Sequence, residues 1–299
     1  MSLSRARALA VLAAAPILAR CEFDRAQVRV GSKNFTESFL IAEIYAQALE
    51  RAGLRVGRLF NLGSTQIAMA AMERGNIDCY PEYTGTALIN VLHDAPIADP
   101  RTAYQVVARS FEERYGIVWL DPSPMNDSQG LATTRAIAAA QRLATLSDVA
   151  AAAPRLRLAT IQEFLARPDG LPGLQRFYGG FQFREVRTYD IALKYRALLE
   201  NKADVATAFT TDGAIDTDDL VILRDDKHFW PAYNIAPLIR KPALQARPAI
   251  ARILNAVSSA ITDRKARAMN AAIEGSQQDP ADVAAAFLRS FDVPGGPHA

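Results

Sequence analysis

Residues 75–86, GNIDCYPEYTGT, are the stretch whose reading decides the fold. They follow an apolar helical run, and Gly75 is fit to stop that helix. Ile77, Asp78, Cys79 and Tyr80 then read as a short strand. Pro81 has no N–H to give to a central ladder, so the strand is expected to end there. Glu82, Tyr83 and Thr84 leave the strand end, and Gly85 and Thr86 open a helical run over 87–92. An aromatic ring and a hydroxyl thus stand at the carboxyl end of a strand, where open α/β sheets place their ligand sites.

The same layout occurs again. AMERGNID (71–78) aligns with ALLENKAD (197–204), about 125 residues further on. Five residues after Asp78 stands Tyr83, and five after Asp204 stands Phe209. A helix–strand–aromatic unit used twice predicts two similar α/β lobes facing each other. Recurrence of such units in any α/β chain is the alternative.

The 299 residues suffice for one large or two medium domains. Half are hydrophobic and 22% are charged, an ordinary globular composition. The formal charge is +2, and Arg5, Arg7 and Arg20 all precede Cys21. Cleavage there leaves 31 basic residues against 32 acidic, a net −1. Such a balance does not point to nucleic acid or to an anionic membrane surface.

Residues 1–21 read as a signal peptide. Arg5 and Arg7 precede an apolar stretch over 8–19, too short for the roughly 20 residues that span a bilayer. Leu18-Ala19-Arg20-Cys21 resembles a bacterial lipoprotein box, although Arg20 sits where a small residue is usual. Two outcomes remain open: lipidation at Cys21, or plain cleavage nearby with release into the periplasm. Cys79 is the one other cysteine and is expected to pack as a small strand residue.

Taken in order, residues 28–30 form a strand candidate. Asn34 with Glu37, or Thr36 alone, is placed to cap the helix that follows and stops at Gly53. Lys33 lies in that strand-to-helix turn beside free backbone N–H groups. It suits an anion such as a carboxylate, or it is simply a solvated turn lysine. Residues 59–62 read as a short second strand or the end of one, and 126–134 as a turn and then a strand. Further strands are read at 117–120, 156–159, 183–186, 205–209, 220–223 and 234–239. Residues 117–120 are all apolar and are expected to be buried on both faces. Ser147 is read as the cap of a short helix. Residues 163–173, EFLARPDGLPG, read as a loop of the kind that carries function. Asp225-Asp226 reads as a solvated turn. Helices are expected over 248–261, 264–274 and 280–291, and a loose tail after Val293.

The chain is expected to leave one lobe near residue 124 and return near residue 234. That gives lobe 1 as 27–124 plus 234–293, lobe 2 as 125–233, and a two-crossing hinge between them. The three histidines, His93, His228 and His298, lie far apart with no ligand-like neighbours, so neither a metal site nor a cofactor is predicted. No nucleophile elbow, phosphate loop or dinucleotide fingerprint occurs.

GSKNFTE, LGSTQIAMAAMERGNIDCYPEYTGT, RPDGLPGL with the following YGG, AFTTDGAI and DDKHFWPAY occur in that order over about 210 residues. Together they resemble the substrate-binding proteins of osmoprotectant ABC importers, which take up glycine betaine, choline, carnitine and related quaternary amines. The resemblance implies a type II periplasmic-binding-protein fold that closes on its ligand and delivers it to a membrane permease and ATPase. It implies an aromatic cage for the trimethylammonium group, whose lack of N–H leaves ring faces as its natural partners.

On matching positions, Tyr83 and Tyr233 are cage tyrosines. Lys33 and Arg167 hold a carboxylate, and Thr86 adds a hydroxyl. Two positions depart from the pattern. Phe209 keeps a ring where a tyrosine is usual. Gln129, in NDSQGLA where the family reads like NNTYALA, replaces a ring. The cage then keeps three rings of four. The ligand is expected to be a quaternary amine, or a different amine or amino acid suited to the incomplete cage. An enzyme on the same architecture is the rival class, and the absence of a nucleophile–base pair argues against it.

Overall fold

The computed structural model describes residues 27–290 except Ala192 and Asp218. The predicted signal peptide and the tail after Val293 lie outside the described residues. In chain order the strands are β1 (Gln27–Gly31), β2 (Arg55–Leu59), β3 (Cys79–Tyr83), β4 (Ile117–Trp119), β5 (Gln129–Thr134), β6 (Arg157–Thr160), β7 (Glu185–Thr188), β8 (Val205–Phe209), β9 (Leu220–Leu223) and β10 (Ile235–Arg240). They form two five-stranded mixed sheets, ordered β2-β1-β3-β10-β4 and β7-β6-β8-β5-β9.

The two sheets have matching layouts, and the sequence repeat marks the match. β3 and β8 are the central strands. Each lies parallel to one neighbour (β1 or β6) and antiparallel to the other (β10 or β5). The aspartate ending each repeat does the same work in both. Asp78 takes the Arg29 guanidinium through both oxygens and also the Arg29 N–H. Asp204 does this with Arg157. Each pair ties the start of a central strand to its parallel neighbour, so Tyr83 and Phe209 emerge at equivalent strand ends. The chain crosses between the sheets twice, from β4 to β5 and from β9 to β10. Helices Ala249–Ser259, Asp263–Glu274 and Pro280–Leu288 then pack on helix Thr36–Arg51 of the first sheet.

Several local readings need correction. β3 does not stop at Pro81; it starts at Cys79 and runs through to Tyr83. Pro81 faces Pro237 across the antiparallel pair. Neither ring has an N–H to exchange, so the two occupy a non-hydrogen-bonded pair, where none is needed. Residues 163–173 are not an open loop but two short helices, Gln162–Ala166 and Leu171–Leu174, joined by a tight turn. Gly170 is required in that turn: a Cβ there would sit 2.1 Å from the Phe164 carbonyl oxygen.

The cap of helix Leu146–Ala152 is Thr145, in a reciprocal box with Asp148, and not Ser147. Ser147 instead donates to Asp226, and Asp225 accepts from Tyr178 and from the Trp230 N–H. These two aspartates fasten loops together rather than lie solvated. Helix Thr36–Arg51 begins after Phe35 with no side-chain cap from Asn34 or Thr36. β2 covers 55–59 and β7 covers 185–188, offset from the expected 59–62 and 183–186, because pairing with β1 and β6 sets their register. Val118 is half-buried rather than covered on both faces. Cys79 is buried and unpaired, and burial pushes its thiol pKa well above the ordinary range.

A cleft between the two sheets

A cleft of about 1230 Å³ opens where the ends of β3 and β8 face each other. All seven predicted residues line it: Lys33, Tyr83, Thr86, Gln129, Arg167, Phe209 and Tyr233. Chain folding brings together side chains that are up to 200 residues apart in sequence. What sequence reasoning missed is the set of carboxylates that hold them.

Lys33 does not stand free in its turn. Its Nζ is 2.6 Å from Glu82 Oε1 and 3.4 Å from Thr65 Oγ1. It also lies 4.7 Å from the centre of the Tyr83 ring and 5.4 Å from that of Phe35. Burial pushes the Lys33 pKa down, and the Glu82 charge pulls against that shift. Glu82 is fully buried and also accepts from the Tyr83 N–H at 2.8 Å and the Tyr80 hydroxyl at 3.1 Å.

Arg167 is likewise engaged. Its Nε and Nη2 reach the two oxygens of Asp169 at 2.8 and 2.6 Å. Burial opposes its charge, but the bonds and charge of Asp169 together outweigh burial and hold its pKa above the ordinary value. Asp169, almost fully buried, also accepts from the Tyr233 hydroxyl and from Gln129 Nε2 at 2.6 Å. Gln129, Arg167 and Tyr233 therefore converge on one carboxylate. The Tyr233 ring lies against Gly85, where a Cβ would stand 2.6 Å from ring carbons. The TGT motif contains a glycine because that ring needs the space.

A third network joins the two sheets directly. Glu37 accepts from the Tyr83 hydroxyl (2.6 Å), the Thr211 hydroxyl (2.6 Å) and Asn270 Nδ2 (2.9 Å). Thr211 Oγ1 is also 2.6 Å from Asp127 Oδ1. Burial raises the pKa of Glu37. Burial and the neighbouring Glu37 charge raise that of Asp127 well above the usual carboxylate range. Sequence reading had used Glu37 only as a capping partner. Its position in the first turn of the helix after β1 was the available signal.

Phe209 has its own internal cation. Lys194 Nζ sits 4.5 Å from the Phe209 ring centre and 2.8 Å from Asp212 Oδ2. Tyr195 donates to the same Asp212 oxygen. Thr86, buried and lining the cleft, ends the short helical turn Thr84–Thr86 that leads into a π-helix at Ala87–Val91. Among the described residues, no group of three or more His, Cys, Asp or Glu is arranged to hold a metal ion.

Two α/β sheets of matching topology, two chain crossings and a deep cleft lined by rings and charged groups define a solute-binding protein of the type II periplasmic-binding fold. The chain belongs to the OpuAC family, the substrate binding domain of ABC-type glycine betaine transport systems, which it matches over residues 26–290. It is 34% identical to a glycine-betaine-binding protein of Pseudomonas aeruginosa, over 89% of this chain and 88% of that one. It is 31% identical to the carnitine transport binding protein OpuCC of Listeria monocytogenes, over 88% and 86%. A crystal structure described as a glycine betaine/carnitine/choline ABC transporter superposes with a TM-score of 0.75. That pair is 30% identical and covers 88% of this chain and 98% of the other.

Proposed function

We propose that this chain captures a quaternary-ammonium osmoprotectant such as glycine betaine outside the cytoplasm and hands it to an ABC permease. The reading rests on one observation above all: Tyr83, Phe209 and Tyr233 line the same cleft as Lys33 and Arg167. Ring faces suit a cation that has no N–H to donate. Lys33 and Arg167 supply positive charge for a carboxylate, each with a carboxylate of its own to be loosened or shared.

The two lobes are 27–124 with 234–293, and 125–233, and they close on the ligand by bending at the two crossings. The network of Thr211 with Glu37 and Asn270 is the contact that closure makes. The chain performs no chemistry on what it binds. A melting-temperature screen with glycine betaine, choline, carnitine and amino acids tests the reading, followed by calorimetry on the hits. A rise with the quaternary amines supports it. A response to amino acids alone would replace the ligand class.

No helix among the described residues is long and apolar enough to cross a membrane. We place the mature protein in the periplasm, released by cleavage near Cys21 or held there by lipid on that cysteine. Mass spectrometry of protein from its native host is expected to show a mature N-terminus near Cys21. An intact Met1 in a cytosolic fraction would overturn export.

Gln129 stands where a ring would complete the cage. Gln129→Tyr is expected to tighten glycine betaine binding by about 0.5–2 kcal/mol, the range for one added cation–π face. The new hydroxyl is placed to keep a donor on Asp169. Unchanged or weaker affinity in a folded variant would mean that position 129 does not face the bound cation.

A further inference from the structure

Building on the amine-binding function proposed above, we propose that Asp127 is a specificity-determining residue. Its carboxylate takes the N–H of a protonated primary, secondary or tertiary ammonium headgroup, favouring such ligands over their quaternary counterparts.

Asp127 lines the cleft yet is only 8% exposed. It sits beside the cage, with its backbone N–H donating to the Tyr233 carbonyl at 3.2 Å. Oδ1 receives the Thr211 N–H at 3.3 Å and lies 2.6 Å from the Thr211 hydroxyl. Oδ2 has no donor among the described residues. A carboxylate oxygen with no donor, on a largely buried residue that lines the cleft, is a place for a ligand N–H.

Proton counting supports this. Thr211 Oγ1 is 2.6 Å from both Asp127 Oδ1 and Glu37 Oε2. A hydroxyl has one proton to donate. The second short contact needs a proton on one of the two carboxyl groups, so the pair shares one while the cleft is empty. Burial and the Glu37 charge hold that proton on Asp127 well above the ordinary carboxylate range.

The other groups facing the pair do not replace it. Glu274, its pKa raised to about 7 by burial and the Asp212 charge, lines the same cleft and acts on Glu37, not on Asp127. Tyr83 and Asn270 donate to Glu37 and carry no charge. Lys33 is bonded to Glu82, and Asp212 to Lys194. Gln129 Nε2 is turned to Asp169. A cation entering beside Asp127 therefore displaces the shared proton to solvent. Its affinity rises with pH until Asp127 is ionised in the empty protein, then levels off. A quaternary headgroup gains only the charge interaction. One that carries an N–H gains a charge-assisted hydrogen bond as well.

The matched probes are N,N-dimethylglycine and glycine betaine, which share a carboxylate and differ by one methyl on nitrogen. Calorimetry in two buffers of different ionisation heat reads affinity and proton release together. Wild type is expected to prefer dimethylglycine by about 10-fold, the low end for a hydrogen bond to a charged group, and to release protons on binding. Asp127→Asn keeps the side-chain shape, and its fold is checked by melting. It is expected to bring the preference to near unity and to abolish proton release.

A preference for dimethylglycine unchanged in Asp127→Asn would overturn the assignment, and so would wild-type binding of either probe without proton release. If betaine and choline bind while these tests fail, the osmoprotectant reading stands and only the role of Asp127 falls. If neither probe nor choline binds, both fall together.

Discussion

Lys33→Met is expected to destabilise the protein by about 3–5 kcal/mol, the cost of leaving one half of a buried ion pair without the other. Lys33 is 5% exposed and Glu82 is 0% exposed. Their contact is 2.6 Å. Methionine fills much the same space, so the loss comes from the stranded Glu82 charge rather than from a cavity. Glu82 keeps two donors, the Tyr83 N–H and the Tyr80 hydroxyl, and these soften the loss without replacing a cation.

The double variant Lys33→Met with Glu82→Gln is expected to regain most of the stability, because no buried charge remains. Urea unfolding at neutral pH measures both variants. If the double variant is no more stable than the single one, the pair is not what Lys33 contributes. In either background the Tyr83 and Phe35 rings lose the ammonium that lies over them. A ligand cation then meets less electrostatic competition at those faces.

The parts of this architecture that could be read from sequence are those with local periodicity or repetition. The AMERGNID and ALLENKAD units marked two equivalent central strands, because a helix stop, a short strand and an aspartate recur at fixed spacing. The rings at Tyr83, Phe209 and Tyr233 followed from their motifs. What escaped depends on partners that are distant in the chain. Pro81 looked like a strand end because the sequence does not reveal that Pro237 lies opposite it. Glu82 read only as part of a strand end, and Asp127 and Asp169 carried no reading of their own. An aspartate in a turn is solvated unless the fold buries it. Here, the burial comes from residues as far away as Thr211 and Tyr233. Lys33 was read toward a ligand carboxylate because its counter-charge, Glu82, sits in another motif. That of Arg167, Asp169, stands only two residues on, in a stretch read as loop.

Tyr233→Ala carries the other large expected effect, on both stability and binding. The side chain is 2% exposed and packs its ring on Gly85. Truncating a buried aromatic ring to alanine costs about 3–5 kcal/mol through lost burial and the cavity left behind. A bound cation would lose about 2 kcal/mol more with that ring face. Tyr233→Phe keeps the ring and removes only the hydroxyl that donates to Asp169. Its stability is expected to fall by about 1.5–3 kcal/mol, the range for a hydrogen bond to a charged group, with much less loss of ligand affinity than in Tyr233→Ala.

Gly85 gives an internal control. Alone, Gly85→Ala forces a methyl group to within 2.6 Å of the Tyr233 ring and is expected to destabilise the fold. In the Tyr233→Ala background that space is empty. The same substitution then lies in the short helical turn Thr84–Thr86 without the ring that it meets in the wild type. There it is expected to be neutral or to stabilise by up to about 1 kcal/mol, the ordinary advantage of alanine over glycine in a helix. A double-mutant cycle by chemical denaturation reads the coupling. Equal penalties for Gly85→Ala in the two backgrounds would show that the Tyr233 ring does not rest on Gly85. The placement of that ring in the cleft would fall with that contact.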